Sequence, residues 1–310
     1  WLRALDWRLS GKWLAVILLL TLCSYPALEA LFAAQLGLCV AFLLAAALVA
    51  LQRNRFLLAG ILMAITTIKP QVTVLAIFYL LLWSLHEWRA RGRFWIGFFS
   101  TLLLLVGASL IAMPHWIQSW THTVLAYRHY TRPPLVTEVL TAPLGPRWSA
   151  AATFALTAAS IIVAMILAWR NRAVAFDSFG FWLTLTLLLS ITTITILPGQ
   201  AVYDHLILLP GILLVMRYRN KLLNAGRVPQ ITLEVSALVL FWPWIAALAL
   251  ILLRPLLAPS IFNSTAVFAL PIRSAASLPF AVLALLAWMW RILIRTSIEP
   301  LSPVQNPESA

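Results

Sequence analysis

A few polar side chains that could bind an anion or move a proton stand among long apolar runs of this chain. They are Glu29, Gln35, Lys69, Tyr203, Asp204 and His205. Lys69 is the most costly to place, since a lysine facing the bilayer core costs about 2.5–3.5 kcal/mol on insertion scales. It either snorkels to the headgroups or supplies a cation at the bottom of an outward-facing cavity, where it suits a phosphate.

The other polar residues also allow two interpretations each. Asp204 could be a carboxylate favoured by a helix N-terminus, with His205 as its polar neighbour. A carboxylate beside a histidine can also act as a general base or orient an acceptor hydroxyl. Glu29 and Gln35 lie at a break between apolar segments, where either could contact a sugar hydroxyl or satisfy a broken helix end.

The composition indicates a membrane protein. The chain is 63% hydrophobic and 10% charged, with a mean hydropathy of +0.95, and a soluble domain of this size could not cover that apolar surface. The net charge of +13 resides largely in short loop clusters, which favour contacts with anionic lipid headgroups. Nucleic acid is therefore not an expected partner, and membrane lipids are.

The positions of the basic residues predict the orientation of the chain. Six clusters hold 16 of the 22 Lys and Arg residues: Arg3/Arg8/Lys12, Arg53/Arg55, Arg89/Arg91/Arg93, Arg170/Arg172, Arg217/Arg219/Lys221/Arg227 and Arg291/Arg295. Short loops rich in Lys and Arg stay cytoplasmic. We therefore expect a multi-pass protein of the cell membrane with both ends of this chain cytoplasmic. The Lys69-Pro70 bend and the Asp204-His205 pair then share a pocket that opens on the opposite side.

Apolar segments between the clusters predict an all-α fold with about ten transmembrane helices. The expected spans are 13–30, 34–51, two arms within 56–85, 94–113, 149–168, 179–197, 200–216, 232–253 and 274–292. A break at Lys69-Pro70 keeps the flanking basic loops on one side, because proline disfavours helix at the residue before it. We expect one transmembrane domain over residues 1–298 and a disordered, Pro/Ser-rich cytoplasmic tail over 299–310.

The external segment 114–148 is predicted to contain an amphipathic helix, because Ile117, Trp120, Val124 and Tyr127 share one helical face. It is either a connecting helix at the surface or a lid that guides lipid to the site. His115, His122 and His129 recur every seven residues, about 10 Å along a helix, too far apart to close on one metal ion. No metal site is predicted there.

Two sequence blocks resemble a known family. The first reads PALEALFAAQLGLCVAFLLAAALVALQRNRFLLAGILMAITTIKPQVTVLAIFYLLLW, and the second reads LPGQAVYDHLILLPGILLVMR. They are similar to family 87 of the multi-spanning C-type glycosyltransferases, a mannosyltransferase family. Its first block has Gly-Gln-x-Asn, a basic loop and Lys-Pro, which Gln35, Arg53/Arg55 and Lys69-Pro70 match. Its second block has Trp-Asp-His, for which this chain has Tyr203, Asp204 and His205.

The chain also departs from the family pattern. Ala34 replaces the usual Gly, and Gly37 stands where Asn is common. Enzymes of the superfamily usually carry a catalytic Asp in the first external loop, whereas the early acid here, Asp6, falls on the predicted cytoplasmic side. We therefore expect that loop to precede Trp1; otherwise the protein is a degenerate transferase.

The resemblance implies transfer of a sugar, expected to be mannose, from a polyprenyl-phosphate carrier to a lipid or glycan acceptor outside the cytoplasm. It assigns Lys69 to the donor phosphate, Gln35 and Tyr203 to sugar hydroxyls, and Asp204 or His205 to the acceptor. Arg128 and Arg132 are further candidates for phosphate contact, and Glu29 for a sugar hydroxyl. No cofactor is expected, because the sequence has no Gly-rich phosphate loop and no Asp-x-Asp.

Two other functions fit the same sequence. Broken helices with charges near the bilayer midplane are typical of transporters, and Lys69-Pro70 is one such break, so a transporter or lipid flippase is the first alternative. A catalytically degenerate membrane scaffold is the second. Turnover of a lipid-linked sugar distinguishes the transferase from both.

Overall fold

A computed structural model describes residues 1–130, 135–197, 201–256, 258–262 and 270–293. These described residues are 83% helical, and no strand occurs among them. The α-helices are α1 (Gly11–Leu22), α2 (Tyr25–Phe32), α3 (Gly37–Gln52), α4 (Phe56–Ile65), α5 (Pro70–His86), α6 (Trp88–Arg91), α7 (Arg93–Ala112), α8 (Trp116–Tyr130), α9 (Val136–Thr141), α10 (Pro146–Arg170), α11 (Phe179–Thr195), α12 (Leu209–Arg217), α13 (Arg219–Leu223), α14 (Arg227–Leu253), α15 (Pro259–Phe262), α16 (Leu270–Ala275) and α17 (Leu278–Leu293). Short 3₁₀ helices cover Thr66–Ile68, Ala142–Leu144, Val202–Leu208 and Arg254–Leu256.

Three described helices, α7, α10 and α14 with its 3₁₀ extension, are long and apolar enough to cross a membrane. The bent pair α1–α2 makes a fourth if it counts as one span. Other apolar helices of 10–17 residues are α3, α4 with its 3₁₀ extension, α5, α11 and α17. The described residues therefore give three spans by length, or up to four, and the expected figure of about ten is not shown.

The breaks between helices form at polar and proline residues. The Ser24 side chain accepts a hydrogen bond from the Ala27 backbone N–H and so caps α2, while Pro26 occupies its first turn, where a missing N–H costs nothing. Helices α1 and α2 meet there at a bend of 51°. Lys69 has φ −135° and ψ 70°, and α5 begins at Pro70, as the restricted backbone before proline requires.

Glycines allow α4 and α7 to pack with their backbones in contact. A Cβ on Gly60 would overlap the carbonyl oxygen of Phe94, and a Cβ on Gly97 would overlap that of Leu57. Small residues at such crossings are typical of helix pairs in membranes. Because the contact joins the first halves of both helices, the basic residues that precede them lie at the same end of the molecule.

Further contacts bring other basic segments to this end. The Arg217 guanidinium donates to the carbonyl oxygen of Leu5. The Trp83 indole donates to the carbonyl oxygen of Val174 at 2.8 Å, which links the end of α5 to the segment after α10. Helix α4 starts at this end and stops before Lys69, so Lys69 lies at the opposite end. Helix α12 ends here and follows the 3₁₀ helix Val202–Leu208, so Asp204 also lies at the opposite end.

Helix α11 forms the centre of the described bundle. All of its residues from Phe179 to Thr195 are buried, and it packs against α5, α10, α12 and α17. Most of its hydroxyl groups donate to its own backbone: those of Thr184, Thr186, Ser190, Thr192 and Thr195 bind the carbonyl four residues earlier, at 2.8–2.9 Å. The helix therefore buries these hydroxyls without needing partners on its neighbours.

The predicted amphipathic segment contains a helix, α8. Ile117 and Trp120 on this helix are 47% and 57% exposed. An exposed apolar pair on one face agrees with the predicted amphipathic pattern, and its membrane contact stays a prediction. The expected tail 299–310 lies outside the described residues.

Candidate functional site

The structure gathers most of the predicted site residues at one junction. Three breaks in the helices meet there: the segment between α2 and α3, the segment before α5, and the 3₁₀ helix Val202–Leu208. Lys69 contacts Gln35, Tyr203 and Asp204 there. Arg128 lies on α8, and Arg132 falls outside the described residues.

An ion pair between Lys69 and Asp204 forms the centre of the junction. The Lys69 Nζ atom donates to Asp204 Oδ1 at 2.6 Å, although 135 positions separate the two residues in sequence. The side chains are only 13% and 2% exposed. Because charges removed from water must be compensated locally, the lysine and the aspartate depend on each other.

Two further groups surround the Lys69 ammonium. Gln35 Oε1 accepts from Nζ at 3.4 Å, and the Tyr203 ring lies with its centroid 4.6 Å from Nζ, within cation–π range. The cation is thus held by a carboxylate, an amide oxygen and an aromatic face. All of these can also contact an incoming ligand, since hydroxyl-rich or anionic groups use the same types of partner.

Gly37 permits the approach of Asp204 and is a site residue that the sequence did not reveal. A Cβ at Gly37 would lie 2.9 Å from Asp204 Oδ1 and 3.1 Å from the Tyr203 carbonyl oxygen. Gly37 is the first residue of α3, so the carboxylate lies against a helix N-terminus, where negative charge is favoured. The larger Asn that is common at this position in the resembling family would occupy the space of the Asp204 carboxylate.

The backbone conformation of Ala34 shows why glycine is usual at this position in the resembling family. Its φ is +49°, a left-handed conformation that glycine adopts without strain and alanine adopts at a cost of roughly 1 kcal/mol. This conformation reverses the chain between α2 and α3 and so places Gln35 beside Lys69. A glycine at this position would therefore suit the same turn.

Glu29 lies beside the ion pair on α2. Helix α2 packs against the 3₁₀ helix that carries Asp204, and the Glu29 Oε2 atom is buried without a hydrogen-bond partner. A buried acceptor without a donor is costly, so this atom is ready to accept a hydrogen bond from a hydroxyl that enters the junction.

His205 faces a different environment from Asp204. It is 2% exposed, and its Nδ1 atom has no hydrogen-bond partner. The residue lines an apolar cavity of about 450 Å³ between α1, α2, α12 and α14, whose wall also includes Ile17, Leu213 and Trp244. This cavity, which hydropathy alone could not reveal, places apolar space directly beside the polar junction.

No group of three or more His, Cys, Asp or Glu side chains able to hold a metal ion occurs in the described part of the chain. Cys23 and Cys39 are free and exposed. The side chains of the junction offer a buried cation for an anionic group, acceptors for hydroxyl groups, and a carboxylate.

A helical chain with helices long and apolar enough to cross a membrane and a buried Lys–Asp pair is a membrane protein with a polar site. The family model described as Glycosyltransferase family 87 matches residues 1–198. The chain belongs to this family and is a membrane glycosyltransferase, which requires a sugar donor and an acceptor. Searches of curated proteins and of solved structures found no match.

Proposed function

We propose that this glycosyltransferase moves a sugar, mannose, from a polyprenyl-phosphate carrier to a lipid or glycan acceptor outside the cytoplasm. The observation that carries the proposal is Lys69, a cation only 13% exposed at a break in an apolar helix. A lysine with so little access to water suits a phosphate carried by a lipid, because such a donor enters from the bilayer and not from water.

The apolar cavity beside His205 supports a lipid-borne substrate. Its lining consists almost entirely of apolar side chains, most of them from α1, α12 and α14. His205 in the cavity wall directly follows Asp204 of the ion pair in the sequence, so the cavity lies next to the ion pair. A polyprenyl chain in this cavity would bury apolar surface while its phosphate meets Lys69. We assign Gln35, Tyr203 and Glu29 to sugar hydroxyls, and Asp204 or His205 to the acceptor hydroxyl. Arg128 and Arg132 stay candidates for further phosphate contact.

The direct test is donor turnover by the purified protein in detergent. We expect transfer of radiolabelled mannose from a polyprenyl-phosphate-mannose and none from a nucleotide-linked mannose, because the proposed donor site recognises a lipid monophosphate. The variant Glu87→Gln should retain this activity, since it removes only a carboxylate from the Arg91–Glu87 ion pair at the opposite end. Turnover of the nucleotide sugar, or of neither donor, would refute the proposal.

We also propose that the junction faces the extracytoplasmic side and that the shorter apolar helices cross the membrane with the long ones, giving about ten spans. The gathering of basic segments at the other end supports this orientation. Two single cysteines, Ala33→Cys in the segment between α2 and α3 and Gln52→Cys at the end of α3, test it in a variant without Cys23 and Cys39. In intact cells, an impermeant maleimide should label position 33 and spare position 52; the reverse pattern would overturn the orientation.

A further inference from the structure

The Asp204 carboxylate occupies the position that an anionic ligand of Lys69 would take. Its Oδ1 atom is 2.6 Å from Nζ and lies against Gly37 at the N-terminus of α3. A lysine, a helix N-terminus and the Gln35 side chain together form a site for an anion. In this structure that site is filled by a carboxylate of the protein itself.

We propose that Asp204 is a placeholder anion, which the donor phosphate displaces from Lys69. This inference rests on the proposed function and adds an order of events to it. One ammonium that is only 13% exposed cannot compensate a phosphate and a second buried carboxylate equally well. Binding of the phosphate therefore transfers Lys69 from the carboxylate to the donor.

The exchange makes Asp204 available to the acceptor only after the donor is bound. In the transfer step, the acceptor oxygen forms a bond to the anomeric carbon, while the bond between that carbon and the phosphate oxygen breaks. The electron pair leaves with the polyprenyl phosphate, which stays paired with Lys69, and the acceptor proton passes to the released Asp204 carboxylate. Without a donor, the base is masked by the lysine.

The placeholder role predicts an unusual gain of affinity. Asp204→Asn keeps the size of the side chain but removes the competing charge, so Lys69 should bind a phosphate more tightly. We expect the Kd of farnesyl monophosphate to fall about tenfold or more, in line with the coupling of close, desolvated charge pairs. Equilibrium binding of the radiolabelled compound to wild type, Asp204→Asn and Lys69→Met measures this. Farnesol, which lacks the charge, should bind all three equally.

The controls separate this inference from the proposed function. Glu87→Gln removes a paired carboxylate elsewhere and should leave the Kd unchanged. If wild type binds farnesyl phosphate through Lys69 but Asp204→Asn binds it equally or more weakly, the placeholder role is wrong and the proposed phosphate site stands. If wild type does not bind it, or Lys69→Met binds it equally, the phosphate site and the placeholder role both fail. Should Asp204→Asn not fold, Asp204→Ser provides the same comparison.

Discussion

Replacing Lys69 by methionine should lower sugar transfer at least about a hundredfold. Methionine keeps the length and apolar character of the side chain but removes the charge that we propose stabilises the departing phosphate. Loss of one preorganised electrostatic contact at a reacting group typically costs about 10²–10³ in rate. The measurement is initial velocity with a polyprenyl-phosphate-mannose at saturating acceptor, and a loss below about tenfold would remove Lys69 from the site.

A second variant distinguishes this catalytic loss from a loss of folding. Lys69→Met leaves the Asp204 carboxylate, 2% exposed, without its cation, which is expected to destabilise the protein by about 3–5 kcal/mol. The double variant Lys69→Met/Asp204→Asn removes that unpaired charge. Its thermal stability should return toward wild type while its transfer stays low. Recovery of both properties would mean that Lys69 is only structural.

Substituting alanine for Gly97 is expected to destabilise the fold by about 3 kcal/mol or more. The added methyl group would overlap the Leu57 carbonyl oxygen, and a backbone atom in a packed helix cannot move aside as a side chain can. Helices α4 and α7 would separate along their crossing, and Lys69 at the end of the α4 segment would shift with them. The measurement is Tm in detergent, together with the yield of monodisperse protein.

Gly107 provides a matched control on the same helix. A Cβ there meets nothing within 4 Å, and alanine is favoured over glycine in a helix by about 1 kcal/mol. Gly107→Ala should therefore leave Tm unchanged or raise it, whereas Gly97→Ala lowers it. Equal effects of the two substitutions would show that the close crossing of α4 and α7 does not contribute to stability.

The sequence predicted the break at Lys69-Pro70 because it depends on local chemistry: proline disfavours helix at the residue before it, and α5 begins at Pro70 in the structure. The bend between α1 and α2, next to Pro26, falls inside the expected span 13–30, which the structure divides into two helices. The alternation of basic loops along the sequence also predicted that Lys69 and Asp204 share one pocket. Their direct ion pair could not be predicted, since sidedness places residues at one end of a bundle without giving their neighbours.

Gly37 and the number of spans show where sequence reasoning stopped. A glycine in an apolar segment can be required by a turn, a close helix contact or a ligand. Only the folded structure shows that the Asp204 carboxylate lies against Gly37. Hydropathy marks α3, α5 and α11 as apolar but gives no helix ends, and in the structure these helices are 16–17 residues long, below the roughly 20 residues of a full crossing. Breaks at polar and proline residues shorten them.

The self-contained hydroxyl groups of α11 have a consequence for biogenesis. If α11 crosses the membrane as we propose, it enters the bilayer as a nascent segment before all of its neighbours have been synthesised. Since Thr184, Thr192 and Thr195 donate to their own backbone, the segment can be surrounded by acyl chains without exposing unsatisfied hydroxyl donors. Later helices can then enclose it without any exchange of hydrogen bonds.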